Sequence, residues 1–328
     1  MKTKILTELK NSKDYVSGQQ LCEKFGVSRT AVWKAVEQLR ESGYGIESVR
    51  RKGYLLVSRP EQISVEEIQS GLNTRWLPGK ICYFDTIDST NRYADQLGRE
   101  GKVEKDGILV VADHQTMGKG RRGRTWVSPA GKNIFMSLLL KPGISVENVS
   151  GITLVMALSI SRAMQMLYGL PVQIKWPNDI VCRGKKLCGI LTEMRVEENE
   201  ISHVVIGVGI NVNIEEFPEE IKDTATSLYL ELQQQQSRSR LICEIMKQFE
   251  QDVERFYRTE NLSELQEEYQ TYLVNQNQEI CVIEPDKSYR GIGRGINEKG
   301  ELLVELPDGT MKKIYAGEVS VRGVYGYV

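Results

Sequence analysis

The residues best suited to chemistry lie between positions 112 and 133, in ADHQTMGKGRRGRTWVSPAGKN. Gly118, Gly120 and Gly123 alternate there with Lys119, Arg121, Arg122 and Arg124. Glycines expose backbone amides, and cations beside them can wrap a phosphate or carboxylate. A solvated basic loop is the plain alternative. Gly118-x-Gly120-x-x-Gly123 has the spacing of a dinucleotide fingerprint, which works only between a strand and a helix. A strand precedes it, but Pro129 and Gly131 follow and lead into another strand, so that reading is set aside. No Walker spacing ends in Gly-Lys-Ser/Thr.

Four other short stretches carry polar groups at element ends. DSTN (88–91) stands where a strand ends and a helix starts, and offers hydroxyls, an amide and free N–H groups to a small polar ligand, or serves as a plain N-cap. KWPNDIV (175–181) reads as a tight turn between strands that carries Lys175, Asn178 and Asp179. GKKLCGILTE (184–193) puts Lys186 at the start of a strand through Gly189. GVGINVN (207–213) has glycines that let a ring approach the backbone, with Asn211 at the strand end.

The elements that must position these groups are mixed. KICYFDTI, GILVVADHQ, NIFMSLLLK, VQIKW, DIVC, LCGILTEMRV and SHVVIGVGINV read as strands, and STNRYADQLG as a helix. GITLVMALSISRAMQMLYG (151–169) contains Arg162 and is expected to be a buried core helix rather than a membrane span. Polar-faced helices are expected over 238–274. The chain then returns to short strands, QEICVI, YRGIGRGI, ELLVELPDGTMKKIY and SVRGVYG, with a turn at Pro307-Asp308-Gly309 and the regular spacing of a small barrel.

The N-terminus has a different character. KILTELK, GQQLCEKF and RTAVWKAVEQLRESG read as three helices, the latter two capped by Ser17 and Ser28. Val32, Val36 and Leu39 form one apolar stripe on the third. YGIESVRRKGYLLV then reads as a hairpin with a cationic tip. This is a winged helix-turn-helix. Ser28, Arg29, Thr30 and Lys34 would face the major groove, and Arg50, Arg51 and Lys52 the phosphates. Residues 1–60 hold 12 Lys and Arg against 6 Asp and Glu, a balance of +6 on a chain whose net charge is −1. A basic module on an acidic body points to DNA as the module's partner. Ser64-x-x-Glu67 reads as a capping box that restarts the chain after a linker at 58–64.

The 328 residues allow two or three domains, and 27% charged residues suit a soluble globular protein. No secretory signal is visible, and six cysteines without C-x-x-C spacing read as reduced cytosolic thiols. Two isolated histidines argue against a Cys/His metal site.

Taken together and in order, DSTN, GKGRRGRTW, KWPND, GKKLCGIL and GVGIN resemble the family of bifunctional biotin–protein ligases and biotin operon repressors, over the whole length. The resemblance implies an α+β chain of three domains. These are a winged helix-turn-helix over 1–63, a mixed-sheet ligase domain over 64–274 and an SH3-like barrel over 275–328. It implies biotin, ATP and Mg2+ as ligands, a carrier-protein domain of acetyl-CoA carboxylase or a similar enzyme as acceptor, operator DNA, a ligand-promoted homodimer and a cytoplasmic location. Membrane association is not expected.

By the same resemblance, Ser89, Thr90, Asn91 and Gln115 look like biotin-head ligands, with Lys119, Gly120 and Arg121 above them. Lys186 resembles the lysine that meets the biotin carboxylate and the phosphate. Arg121, Arg124, Asn178 and Asn211 are candidates for the nucleotide side. Lys186, Arg121 and Asp179 are the catalytic candidates. A carboxylate with a pKa near ~4.3 needs no base to attack the α-phosphate, whereas an amine near ~10.4 must lose a proton, and Asp179 is the candidate base. Asp179 equally suits holding the turn or binding magnesium. Family members often have arginine where this chain has Lys119, which keeps the charge but lacks the bidentate fork. A lipoate-type ligase and a non-catalytic ligand-sensing transcription factor are the competing readings.

Overall fold

The computed structural model describes residues 1–104, 106–284, 287–316 and 320–323. The end of the last expected strand, 324–326, lies outside the described residues. The chain divides into two compact units, Met1–Asn73 and Thr74–Val328.

The first unit contains α1 (Lys2–Asn11), α2 (Gly18–Phe25), α3 (Arg29–Glu41), the hairpin β1 (Gly45–Val49) and β2 (Gly53–Ser58), and α4 (Val65–Gly71). Ser17 caps α2 through a full capping box with Gln20, and the Ser28 hydroxyl accepts the Ala31 N–H at the start of α3. Val32, Val36 and Leu39 are each at most 1% exposed and meet Ile5, Leu6, Leu9 and Leu21 in one core. The expected capping box of α4 is half made. The Ser64 hydroxyl accepts the Glu67 N–H at 3.1 Å, but the Glu67 carboxylate turns to Lys10 Nζ at 2.7 Å and the Tyr44 hydroxyl at 2.7 Å. These buried partners, with Ile68 at 0% exposure, hold α4 within the N-terminal unit, whereas the sequence reading placed it after the boundary at residue 63.

The second unit is built on a seven-stranded mixed sheet. Its first half runs β3 (Lys80–Ile87), α5 (Thr90–Arg99), β4 (Ile108–Gln115), β5 (Ile134–Leu140) and α6 (Val149–Tyr168). There follow β6 (Val172–Lys175), β7 (Asp179–Cys182), β8 (Lys185–Glu197), β9 (Glu200–Ile210), α7 (Leu228–Leu232), α8 (Arg238–Thr259) and α9 (Gln266–Tyr272). The strand order is β3-β4-β5-β9-β8-β7-β6, with only the β3–β4 pair parallel. By length and composition α6 could cross a membrane, yet 72% of its apolar window is buried inside the fold, as the core-helix expectation requires.

Side chains alternate across a strand. On β9 the odd-numbered positions face α5 and the glycine loop: His203 lies under Gly98, Gly207 under Asn91 and Gly209 under Trp126. A Cβ on Gly207 would come within 2.1 Å of the Asn91 amide oxygen, so only glycine admits that approach.

The chain ends in β10 (Glu279–Ile283), β11 (Ser288–Ile296), β12 (Leu302–Glu305), β13 (Met311–Ile314) and β14 (Ser320–Gly323), an antiparallel sheet in the order β13-β12-β11-β10-β14. Pro307, Asp308 and Gly309 make the expected turn, with Gly309 at φ +82°. This sheet is joined to the larger one by the Trp176 indole N–H, which donates to the Gly300 carbonyl at 3.0 Å.

Candidate active site

The floor of the site starts at the β3–α5 junction. Ser89 occupies the N-cap position, yet its side chain makes no capping bond and the residue is only 2% exposed, so the plain-cap reading of DSTN does not hold. Thr90 donates to Gln115 Oε1 from both its amide and its hydroxyl, at 2.8 and 3.1 Å. The Ser137 hydroxyl on β5 lies 2.7 Å from Thr90 Oγ1 and 2.6 Å from Asn91 Oδ1. Asn91 Nδ2 donates to the Glu193 carboxylate at 2.7 Å. Three strands and one helix N-terminus therefore converge on one half-buried polar patch, which suits a small ligand with fixed donors and acceptors.

The glycine loop is not an open cradle. Gly120 N–H donates to Arg124 O at 2.8 Å and Trp126 N–H to Gly118 O at 3.0 Å, so the loop folds back as a short hairpin. Its tip is a 3-10 turn with Arg122 at φ +57° and Gly123 at φ +71°. One of the glycine amides expected to hold an anion, that of Gly120, is thereby used internally. Arg121 reaches across to Asn178 Oδ1 at 2.8 Å and to the carbonyl of Ala316 at 3.5 Å. Burial, aided by the adjacent Arg122, lowers the Arg121 pKa from its ordinary value, and Asp179 opposes this.

Lys186 Nζ lies 2.7 Å from Asp179 Oδ1 and 5.4 Å from the centroid of a Trp126 ring. The turn between β6 and β7 sets Asp179, and the register Val181↔Lys186 on β8 sets the lysine beside it. Asn178 donates to the Ile190 carbonyl at 2.9 Å, so the turn is fastened to β8.

Two adjoining cavities share this wall. The smaller, about 50 Å³, is lined by Ser89, Thr90, Asn91, Gln115, Lys119 and Gly120, with Arg121, Asn178 and Lys186 at its border. The larger, about 720 Å³, is lined by Arg121, Arg124, Asn178, Asp179, Lys186 and Asn211, and on its far side by residues of 214–225. Every residue expected to bind the small ligand or the nucleotide thus lines one cavity or both. Lys119 is exposed at the edge of the small cavity, where a point charge without a fork fits.

Trp126 was not singled out from the sequence, and it is central. Its indole fills the space over Gly189 and Gly209, where added Cβ atoms would lie 3.0 and 2.6 Å from it. Its Nε1 is buried with no hydrogen-bond partner among the described residues. Such an orphan donor costs about 1–3 kcal/mol, and a ligand acceptor would relieve it. The spacing of the two glycines, both on one face of adjacent strands, was the available signal.

Among the described residues no group of three or more His, Cys, Asp or Glu side chains is placed to hold a metal ion. In the N-terminal unit, Ser28, Arg29, Thr30 and Lys34 are exposed along the start of α3, and Arg50, Arg51 and Lys52 are exposed at the hairpin tip. Trp33 shares that face of α3 and is 54% exposed, and it too was not picked out in advance.

An HTH-domain family matches residues 2–55, the biotin/lipoate A/B protein ligase family residues 83–211, and the biotin protein ligase C-terminal domain family residues 277–322. The bifunctional ligase/repressor BirA of Bacillus spizizenii is 39% identical over 94% of this chain and 94% of its own. The protein of that name from Escherichia coli is 31% identical over 97% and 96%. A solved biotin protein ligase from Aquifex aeolicus, in complex with biotin and ATP, superposes with a TM-score of 0.66 at 31% identity, covering 75% of this chain and 99% of that one. Fold and site define a ligase of the biotin/lipoate class with an attached DNA-binding unit. The chain belongs to the bifunctional ligase/repressor family.

Proposed function

We propose that this chain joins biotin to a lysine of a carrier protein at the expense of ATP, and that with biotinyl-adenylate bound it represses biotin genes. The observation that carries the first part is the pair of adjoining cavities, one small and lined by Ser89, Thr90, Asn91 and Gln115, the other large and cationic, with Lys186 and Arg121 on their common wall. In our reading Ser89, Thr90, Asn91 and Gln115 hold the biotin ring. Lys186 brings the biotin carboxylate to the α-phosphate, and Arg121, Arg124, Asn178 and Asn211 face the nucleotide. A carboxylate oxygen forms a bond to the α-phosphorus and pyrophosphate leaves. The carrier lysine then attacks the acyl carbon, AMP leaves, and the amine's proton is lost. Both steps depend mainly on positioning and on cations that take up phosphate charge.

Asp179, 2.7 Å from Lys186, positions that ammonium, and it remains our candidate to accept the amine's proton. Magnesium would arrive on the triphosphate, held by phosphate oxygens and water as hard cations prefer. Pyrophosphate release tests the reading. Release with biotin supports it, release with lipoate alone makes this a lipoate-type ligase, and release with neither leaves a ligand-sensing transcription factor.

For the second part, Ser28, Arg29, Thr30 and Lys34 read operator bases and phosphates, and Arg50, Arg51 and Lys52 lie along the backbone. Trp33, between Thr30 and Lys34 on the same exposed face, adds apolar contact with thymine methyls or sugars. One winged helix reads only a half-site, so we infer a homodimer promoted by the adenylate. Six cysteines free of disulfides fit a reducing cytoplasm.

A further inference from the structure

Arg238 is an uneconomical residue where it stands. It opens α8, where the helix dipole disfavours a cation, and it is 3% exposed. Its partner is Asp113 on β4, whose Oδ1 lies 2.7 Å from Arg238 Nη1. The other Asp113 oxygen accepts the Gly131 N–H at 2.8 Å, where the glycine loop re-enters the sheet. The same Arg238 nitrogen donates to the carbonyl of Asn133 at 3.2 Å.

Asn133, fully buried, continues the chain of contacts toward the nucleotide side. Its Oδ1 accepts the Val212 N–H at 3.0 Å, and its Nδ2 lies 3.5 Å from Asn211 Oδ1. Asn213 N–H donates to Lys132 O at 2.8 Å, and Lys132 Nζ pairs with Glu215 at 2.6 Å. Residues between 120 and 129 and between 214 and 225 both line the large cavity, and the two segments are both fastened to residues 131–133. A buried charge held so rigidly is weak evidence for stability and better evidence for a fixed arrangement.

We propose that Asp113, Arg238 and Asn133 are positioning residues that couple the two walls, so that ordering the glycine loop over biotin also sets the 213–224 segment for ATP. The proposal rests on the ligand assignment above. None of the three lines either cavity, so they act through the loops rather than on the reacting atoms. Coupling through a shared root requires reciprocity, biotin tightening ATP by the factor with which ATP tightens biotin.

The test is calorimetric titration of the full chain with biotin and a non-hydrolysable ATP analogue, each alone and in the presence of the other. Asp113→Asn preserves shape while removing the charge. Arg238→Lys keeps a cation to face Asp113, and Arg238→Gln does not. The expected result is a coupling factor that falls at least fivefold in D113N and R238Q but stays within twofold of wild type in R238K. Hydrogen exchange of free D113N should quicken in 116–131 and 213–224 together, with β8 and β9 unchanged. A coupling factor unaltered in D113N, or faster exchange in 116–131 alone, overturns the proposed coupling. Failure of the unaltered chain to bind biotin or the analogue would instead overturn the functional reading.

Discussion

Arg121 and Trp126 are the two side chains on which retention of the adenylate should turn. Arg121 crosses from the loop to Asn178 and Ala316, and burial already weakens its hold on the proton. A charged hydrogen bond to phosphate contributes about 1.5–3 kcal/mol, so Arg121→Ala should raise the off-rate of biotinyl-adenylate by roughly tenfold to a hundredfold. The loop carries little core, so the melting temperature should hardly change. Stopped-flow dissociation reads the first quantity, and an unchanged off-rate would remove Arg121 from the site. Trp126 occupies the space above Gly189 and Gly209, with its Nε1 unpartnered among the described residues, and lines the small cavity, so a bicyclic ring entering there is expected to displace the indole. In a variant with the other three tryptophans replaced by phenylalanine, biotin should shift Trp126 emission. No spectral change on saturation with biotin would contradict the displacement.

At the scale of elements, α5 must sit in register on β9 for Thr90 and Asn91 to meet Gln115 and Ser137. Three contacts fix it: Gly98 on the His203 ring, Asp95 to His203 Nε2 at 2.9 Å, and Asn91 over Gly207. Partial burial tends to raise the Asp95 pKa, but His203 and Arg99 outweigh it and hold the carboxyl below its ordinary 3.8. A lowered carboxyl pKa stabilises the fold above the unfolded value, and that contribution is lost as pH falls through the folded value. Asp95→Asn should therefore be less stable than wild type at pH 7, with the gap closing below pH 3.8. Thermal melts across that range decide it, since a constant gap would mean the carboxylate charge contributes nothing. On α3, Trp33→Ala should weaken specific operator binding by about 1–3 kcal/mol, the scale of one base-pair contact. The salt dependence should stay the same, because no phosphate contact is lost. Equal weakening on non-specific DNA would argue against a specificity role.

For the whole molecule, the compact N-terminal unit ends at Asn73, so a chain starting at Thr74 is the informative truncation. It should lose operator binding and keep adenylate synthesis. Complete loss of adenylation in a folded Thr74–Val328 protein would contradict independent function. In the full chain, adenylate formation should raise both the sedimentation coefficient and operator affinity, since two half-site readers gain through effective concentration. Both are measured with and without biotin plus ATP at one salt concentration. If neither changes, the chain is a ligase with a DNA-binding appendage.

Much of this was legible before folding because it depends on local rules. Ser17 and Ser28 before apolar stripes set α2 and α3, short β-branched runs bounded by turn residues set β6 to β9, and the order of the five motifs identified the family. The ligand-site residues named from the sequence all line one cavity or the other, because those groups lie at element ends, where glycine, proline and polar side chains stand out. What only the tertiary structure decided is how distant groups share an acceptor. Nothing local tells Glu67 to leave Ser64 for Lys10 and Tyr44, so α4 was assigned to the wrong side of the boundary. The glycine loop was read as open because its cross-loop hydrogen bonds depend on how the chain doubles back. Arg238 and Asp113 stand 125 positions apart, and Trp126 meets Gly209 from the glycine loop, so neither pairing leaves any periodic trace in the sequence. Periodicity records which face of an element is buried, while the partner across that face is chosen only when the sheet assembles.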